Sequence, residues 1–238
     1  FVIGDIHGGL KALLQVLNQL ELTEQDQLIF MGDYVDGWSQ SAQVISFLIQ
    51  LETKFNCVFI LGNHDAWCRD WLRDGTVNPS WYLHGGAATL ASYEGFSEEE
   101  KQRHLSFFES MKYYHIDNQN RLFLHAGFTS MHGVIKEKEY HSFCTDRTLW
   151  EMALVANTSL EPSHRFYPRR IKHYHEIYIG HTPTINYEED APMQALNIWN
   201  VDTGAAFTGK LTVMNIDSKA FYQSDALPSL YPDEKGRN

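Results

Sequence analysis

The sequence has few cysteines and no long apolar run, and both shortages exclude classes of protein. Its three cysteines, Cys57, Cys68 and Cys144, are odd in number and lack the spacing of a disulfide framework or a zinc site. We therefore expect reduced thiols in a cytoplasmic protein. No apolar stretch approaches the ~20 residues that cross a bilayer, and no basic region typical of a signal peptide is visible. We accordingly expect no membrane partner.

Positive charge is also scarce. Lysine and arginine total 19 against 30 aspartates and glutamates, which gives a net charge of −11. A chain of this kind lacks the basic face that binds a nucleic-acid backbone, so we expect no nucleic-acid polymer as a partner. It can still act on phosphate if bound divalent cations supply positive charge locally. The twelve histidines are many for 238 residues, and their positions decide their meaning.

The spacing of apolar residues predicts an α/β fold. Strand and helix patterns alternate through the first sixty residues, over 1–3, 10–22, 27–32, 40–51 and 56–62. Further helices are predicted over 66–74, 87–93, 97–111 and 145–156. Further strands are predicted as a hairpin of 112–116 with 121–125, a strand over 176–180, and a final antiparallel pair of 196–201 with 210–216. Because no linker interrupts the chain, we predict one domain over 1–223 and a mobile C-terminal tail over 224–238.

Polar residues suited to metal binding follow five of the apolar runs. Asp5 and His7 lie two apart behind the first strand, so their side chains point to the same face. The five segments are Gly4-Asp5-Ile6-His7-Gly8, Gly32-Asp33-Tyr34-Val35-Asp36, Gly62-Asn63-His64-Asp65, His125-Ala126-Gly127 and Gly180-His181-Thr182. In open α/β sheets, ligands bind outside the carboxyl ends of the strands, so these residues are predicted to meet.

The side chains in these segments predict two metal ions. They offer oxygen and nitrogen without thiolate, a combination that suits Mn²⁺, Fe or Zn²⁺. The set is also too large for one ion that must keep a position open for substrate. We therefore predict two ions that share one bridging carboxylate.

The five segments, in this order, resemble the calcineurin-like metallophosphoesterases. They are more closely similar to the bacterial branch of the phosphoprotein phosphatase family, which includes phage-lambda-type Ser/Thr phosphatases and diadenosine tetraphosphatases. Residues 85–93, and residues 201–204 together with 209–212, resemble two further stretches of that family. The resemblance implies a four-layer α/β/β/α sandwich of two mixed sheets flanked by helices.

The resemblance also implies a role for each polar residue. Six would be metal ligands: Asp5 and His7 for one ion, Asn63, His125 and His181 for the other, and Asp33 as the bridge. His64 would be the general acid for the leaving oxygen, and Asp36 would orient it. Among the possible metals we favour Mn²⁺, with Fe or Zn²⁺ as alternatives.

These roles describe hydrolysis of a phosphate ester. Two cations about 3.5–4 Å apart activate a shared water that attacks phosphorus in line. A proton donor such as His64 typically contributes ~10²–10⁴ in rate. We predict a metal-dependent phosphatase acting on phosphomonoesters, with phosphoSer/Thr or phosphoTyr in proteins as the first choice. The alternatives are hydrolysis of diadenosine tetraphosphate or another nucleotide or phosphodiester, and a metal-binding scaffold that has lost catalysis.

The sequence departs from the family motif at Gly37 and Trp38. The motif continues Asp-Arg-Gly, so Gly37 stands where a phosphate-binding arginine is expected and Trp38 replaces the next glycine. Four arginines are candidate replacements, namely Arg147, Arg165, Arg169 and Arg170, and Trp38 is a candidate wall of the substrate cleft. The basic run over 165–172 can equally be a solvated surface.

Overall fold

The computed structural model describes residues 1–156 and 160–237, whose strands form two five-stranded mixed sheets. The strands are β1 (Val2–Ile3), β2 (Gln27–Phe30), β3 (Asn56–Phe59), β4 (Tyr114–Ile116), β5 (Arg121–Leu124), β6 (Glu176–Ile179), β7 (Met193–Ala195), β8 (Ile198–Asn200), β9 (Thr212–Met214) and β10 (Phe221–Gln223). The first sheet has the order β10-β9-β1-β2-β3, and the second has the order β4-β5-β6-β8-β7.

Helices flank both sheets. They are α1 (Leu10–Leu17), α2 (Ser41–Leu51), α3 (Asn63–Asp74), α4 (Pro79–Trp81), α5 (Ala87–Ser92), α6 (Glu98–Ser110), α7 (Ser142–Thr145), α8 (Thr148–Val155) and α9 (Leu227–Leu230). A π-helical turn over Tyr82–Gly86 joins α4 to α5. None of the helices in the described ranges is long and apolar enough to span a membrane.

Three apolar clusters separate four layers of structure. Alternate residues of β2 point to opposite faces, so Leu28 and Phe30 pack against the helices α1 and α2, whereas Ile29 faces the second sheet. Phe123 and Tyr178 of the second sheet meet that face, with their rings stacked at 5.0 Å between centroids. Leu122 and the other face of the second sheet pack against α8. The predicted four-layer α/β/β/α sandwich is therefore confirmed.

The predicted antiparallel pair of 196–201 with 210–216 is wrong. The strand β8 pairs in parallel with β6 in the second sheet, with Ile198 opposite Ile177. The strand β9 pairs antiparallel with β1 in the first sheet, with Met214 opposite Val2. The chain therefore crosses from one sheet to the other between these two strands. Two short apolar runs close in sequence suggest a hairpin, but here each pairs with a strand from a distant part of the chain.

The C-terminal segment packs against the body of the protein over its described part, 224–237. Leu227 and Tyr231 are buried, and the Tyr231 ring stacks on Trp38 at 5.1 Å between centroids. The backbone N–H of Lys11 donates to Tyr231 Oη at 2.9 Å, which ties the segment to α1. These contacts differ from the mobile tail predicted over 224–238, because the polar sequence carries a few apolar anchors. Residue 238 lies outside the described residues.

The anchoring of the C-terminal segment can be tested by Tyr231→Ala. Because the ring is 2% exposed, its removal leaves a cavity, and we expect the free energy of unfolding to fall by about 3 kcal/mol. Tyr222→Ala is a matched control, because Tyr222 is 38% exposed. Urea denaturation of the three proteins measures the difference. Equal midpoints for Tyr231→Ala and the native chain would support a mobile tail instead.

Candidate metal centre

Each predicted metal-ligating residue lies at the carboxyl end of a strand. The strands and residues are β1 with Asp5 and His7, β2 with Asp33, β3 with Asn63, β5 with His125, and β6 with His181. The strands β1, β2 and β3 are mutually parallel in the first sheet, and β5 and β6 are parallel in the second. Because the two sheets pack face to face, their strand ends form one polar cluster.

Asp5, His7 and Asp33 form the first group. Each offers a ligand atom, and these atoms lie within 4.8 Å of one another. The His7 Nδ1–H donates to the carbonyl oxygens of Val35 and Asp36, at 3.1 and 2.9 Å. This leaves Nε2 as the lone-pair nitrogen, 3.7 Å from Asp33 Oδ2. Burial lowers the pKa of His7 to about 3, so the ring is neutral and able to bind a cation.

Asp33, His125 and His181 form the second group, also within 4.8 Å of one another. His125 Nδ1–H donates to the Met31 carbonyl oxygen at 2.8 Å, so Nε2 points to the centre. That nitrogen lies 3.3 Å from Asp33 Oδ2 and 3.3 Å from Asn63 Oδ1. Burial lowers the pKa of His125, but the nearby Asp33 carboxylate outweighs it and raises the pKa to about 10. A metal ion must therefore displace a proton from this ring, which makes binding dependent on pH.

Asp33 belongs to both groups and is held firmly. Its Oδ1 accepts the backbone N–H of His64 at 3.0 Å. The carboxylate of Asp65 accepts the backbone N–H groups of Asp33, Tyr34 and Gly62, at 2.7, 2.8 and 2.9 Å. Asp65 therefore joins the first turn of α3 to the loop that carries Asp33. The Asp65 carboxylate thus caps the start of α3 and also supports the loop of the candidate metal centre.

The donor set fits two divalent cations. Asp5 Oδ1 is buried and has no hydrogen-bond partner within the described ranges, while Oδ2 accepts the His181 backbone N–H at 3.0 Å. Burial and the neighbouring Asp202 carboxylate raise the pKa of Asp5, and burial raises the pKa of Asp202 to about 6. Buried carboxylates that repel one another and lack partners are stabilised by a bound cation.

Backbone strain is concentrated at this cluster. His7, Asp33, Asp36 and His181 have φ values of 51°, 52°, 75° and 68°, in the left-handed region that residues with a Cβ rarely adopt. Each such residue costs of order 1–3 kcal/mol and persists because its surroundings hold it. Strain of this kind is typical of functional sites, and here three of the residues belong to the candidate metal groups while Asp36 binds His64.

A buried histidine–aspartate pair lies beside the metal-ligating groups. His64 Nδ1–H donates to Asp36 Oδ2 at 2.6 Å, and both side chains are fully buried. The other nitrogen, Nε2, is buried without a hydrogen-bond partner among the residues described. Trp81 Nε1–H and Thr89 Oγ1–H also donate to the Asp36 carboxylate, at 2.7 and 2.6 Å. Asp36, itself held by Trp81 and Thr89, thus fixes one imidazole whose free nitrogen is directed away from Asp36.

The candidate substrate-binding residues do not all reach the centre. Arg147 does, because its Nε–H donates to His181 Nε2 at 3.3 Å. Arg165 lies over the exposed Phe166 ring, and Arg169 lines a different surface cavity. Arg170 is buried and donates to the Phe128 carbonyl oxygen at 2.7 Å, so its guanidinium binds the loop after β5. The arginines of the 165–172 run therefore lie at the surface or against this loop rather than at the centre.

Trp38 is also placed differently from the predicted cleft wall. Its side chain is fully buried, and Nε1–H donates to the Ala205 carbonyl oxygen at 2.7 Å. The ring packs under Tyr231 and Gly236 of the C-terminal segment. Trp38 therefore supports that segment and does not contribute a surface to the cavity beside His7.

Sequence reasoning missed several residues of the site. A cavity of about 130 Å³ opens beside His7, and Asp202 and Arg237 line it together with Arg147 and His181. Asp202 follows the strand β8 just as the predicted ligands follow theirs, so this signal was available. Trp81 and Thr89 carry no such signal, because their contact with Asp36 depends on the packing of α4 and α5. Arg237 lies near the end of the chain, without a motif around it.

Comparison with known proteins agrees with this geometry. Residues 1–204 match the family model described as calcineurin-like phosphoesterase. The asymmetrical bis(5′-nucleosyl)-tetraphosphatase PrpE of Oceanobacillus iheyensis is 29% identical over 237 residues, with 92% of this chain and 89% of that protein covered. The protein of the same name from Bacillus cereus is 26% identical over 226 residues, with 89% and 87% covered.

A solved structure shares the fold at low identity. It is a protein serine/threonine phosphatase from Saccharomyces cerevisiae, which superposes with a TM-score of 0.63. The superposition covers 94% of this chain and 79% of that chain, with 14% sequence identity. At this level the likeness concerns the arrangement of helices and strands, and it carries no information about substrate.

The close approach of two strand ends generates a prediction. A Cβ at Gly180 would overlap Asp5 Oδ1, so Gly180→Ala should displace that carboxylate and weaken Mn²⁺ binding about 10–100-fold. Gly95→Ala is the control, because Gly95 has a φ of +85° but nothing within 4 Å of its Cβ position. It should lose about 1 kcal/mol of stability while keeping its metal. Calorimetric titration with Mn²⁺ gives both affinities, and an unchanged affinity for Gly180→Ala would contradict the assignment of Asp5.

Proposed function

The chain belongs to the calcineurin-like phosphoesterase family and is a metal-dependent phosphoric ester hydrolase, and we propose that its centre holds two divalent metal ions. The proposed ligands are Asp5 and His7 for one ion, Asn63, His125 and His181 for the other, and Asp33 for both. The observation that carries this proposal is the shared Asp33 carboxylate, which belongs to both groups of ligand atoms. Mn²⁺ is the proposed metal, and Fe or Zn²⁺ would suit the same donors.

His64 is proposed as the proton donor to the leaving oxygen. The bound metal ions would supply Lewis acidity that neutralises phosphoryl oxygens and activates water. Asp36 binds His64 Nδ1–H at 2.6 Å, which orients the ring and balances the charge of its protonated form. The free Nε2 can then pass its proton to the leaving oxygen. Trp81 and Thr89 support this role by holding the Asp36 carboxylate in place.

The proposed substrate class is a nucleoside polyphosphate such as diadenosine tetraphosphate. The names of the relatives from Oceanobacillus iheyensis and Bacillus cereus support it. A cavity of about 340 Å³ adjoins Asn63, and Trp67 and Tyr113 line it. The Trp67 ring lies 5.2 Å from the His64 ring between centroids, so one lining residue of the cavity packs against the proposed proton donor. An aromatic wall there suits a stacked base on the leaving group.

Hydrolysis of phosphoproteins, the first prediction from the sequence, is a second candidate. The observation in its favour is Arg147, which lines the cavity beside His7 and His181. A guanidinium in that place can bind the dianion of a phosphomonoester. The two candidates differ in whether a base or a peptide occupies the space beyond the phosphate.

A substrate panel tests the proposed function. The Mn²⁺-loaded protein is assayed on diadenosine tetraphosphate, phosphopeptides, p-nitrophenyl phosphate and its bis-ester. We expect turnover. His64→Ala should lower kcat by about 10²–10⁴ for a phosphoserine peptide, which is an alkyl ester. The loss should be much smaller for p-nitrophenyl phosphate, because its leaving group needs no proton. His132→Ala, which removes an exposed histidine, is the control. Full activity of His64→Ala on the phosphoserine peptide would exclude the proton-donor role. No turnover of any compound by the native protein would favour a metal-binding scaffold that has lost catalysis.

The nucleoside site is tested separately by Trp67→Ala. Base stacking is worth about 1–3 kcal/mol, so we expect KM for diadenosine tetraphosphate to rise about 5–150-fold. KM for p-nitrophenyl phosphate should change little, and Trp67→Phe should restore most of the loss. Tyr82→Ala removes a half-exposed aromatic ring elsewhere and is the control. Equal effects of Trp67→Ala on both substrates would show that Trp67 only supports His64.

A further inference from the structure

We propose that Arg237 is a phosphate-binding residue of this centre and takes the place left by the glycine at position 37. The inference rests on the proposed function, because the bound group would be a phosphate of the substrate. The arginine comes from the C-terminal segment 224–237, which the sequence suggested was a tail. It belongs to neither of the arginine groups considered from the sequence, Arg147 and the 165–172 run.

The backbone of Arg237 occupies the space beside Gly37. A Cβ built on Gly37 would lie 3.5 Å from the Arg237 nitrogen, 3.6 Å from the Arg237 Cβ and 3.3 Å from the His7 carbonyl oxygen. Gly37 also has a φ of +120°, which a residue with a side chain rarely adopts. A side chain at position 37 would be strained by this φ, and the Arg237 backbone already packs against the position. The guanidinium therefore arrives from another part of the chain.

The side chain of Arg237 faces the metal-ligating residues. It lines the cavity of about 130 Å³ together with His7, His181 and Arg147. Its guanidinium lies over the Phe207 ring, 5.6 Å from the centroid. The Nε atom is buried, and within the described part of the chain it has no hydrogen-bond partner. A buried guanidinium N–H without an acceptor is costly, and an anion in the cavity would provide one.

The C-terminal segment is docked so as to deliver this side chain. The backbone N–H of Arg237 donates to the Ala206 carbonyl oxygen at 2.8 Å. The Glu234 carboxylate accepts the Ser39 backbone N–H at 2.9 Å and the Ser39 hydroxyl at 2.7 Å. Gly236 packs so closely on Trp38 that a Cβ there would lie 2.7 Å from the indole. Both departures from the family motif, at 37 and 38, thus contact the segment that carries Arg237.

Two guanidinium groups then face one cavity in a chain with a net charge of −11. Arg147 and Arg237 are rigid, planar donors that can each bind two oxygens of one phosphate. The alternative role for Arg237 is charge balance with Asp202, which lines the same cavity. No ion pair within 4 Å joins Arg237 to an acidic side chain in the described ranges, which favours the phosphate role.

The test compares Arg237→Gln and Arg237→Lys with Lys235→Gln, which removes the same charge from an exposed position two residues earlier. Inorganic phosphate is titrated calorimetrically into each Mn²⁺-loaded protein, and Mn²⁺ content and urea midpoints are measured in parallel. We expect Arg237→Gln to weaken phosphate binding about 10–100-fold and to raise KM more than it lowers kcat. Arg237→Lys should recover part of the affinity, because it restores the charge without the planar fork. Lys235→Gln should match the native protein.

Native phosphate affinity in Arg237→Gln, at native stability and metal content, would overturn the inference. So would a loss of stability in Arg237→Gln that Asp202→Asn repairs while phosphate affinity stays native, because Arg237 would then only balance a charge. Failure to detect phosphate binding by the native protein would also overturn it, whereas turnover in the substrate panel would still support the proposed function. Turnover by both the native protein and Arg237→Gln with equal KM would reject the inference alone.

Discussion

The Asp33 carboxylate lies 3.7 Å from His7 Nε2 and 3.3 Å from His125 Nε2. His7 follows a strand of the first sheet and His125 follows a strand of the second, so one carboxylate joins the polar ends of both sheets. Asp65 secures the loop of Asp33 through three backbone N–H groups. Burying several carboxylates and imidazoles together is unfavourable unless cations compensate their charges. The polar residues at the carboxyl ends of the strands are therefore arranged as a site for cations.

Close packing at the strand ends is the second constraint. Glycine at 62 and 180 allows the chain to pass against Asp33 and Asp5, where any Cβ would overlap a carboxylate oxygen. Positive φ values at His7, Asp33, Asp36 and His181 add strain that the surrounding sheets must hold. The favourable packing of the apolar layers thus offsets the strain that fixes the directions of a few polar side chains.

The C-terminal segment links fold stability to the chemistry of the centre. Tyr231 stacks on Trp38, and the residues that follow pass beside Gly37 to bring Arg237 to the cavity. The unusual glycine and tryptophan after Asp36 are therefore consistent with one another, since both accommodate the same segment. In the proposed arrangement Arg237, from the C-terminal segment, supplies the guanidinium that the family motif places at position 37.

Much of the centre could be predicted from the sequence because its signals are local. The spacing of Asp5 and His7 places both side chains at one strand end. The order of the five segments resembles that of the family, and this resemblance implied the α/β sandwich and the proposed ligand set. The pairing of β8 and β9 could not be predicted, because each strand pairs with a partner far away in the chain.

Tertiary structure alone decided which side chains complete the centre. Trp81 and Thr89 reach Asp36 through packing of helices, and Arg237 reaches the cavity through anchors at Trp38, Ser39 and Ala206. Periodicity and motif spacing report which residues share one strand end or one helix face. They carry no information on which distant segment fills a space such as the one beside Gly37, because that depends on the packing of the whole chain.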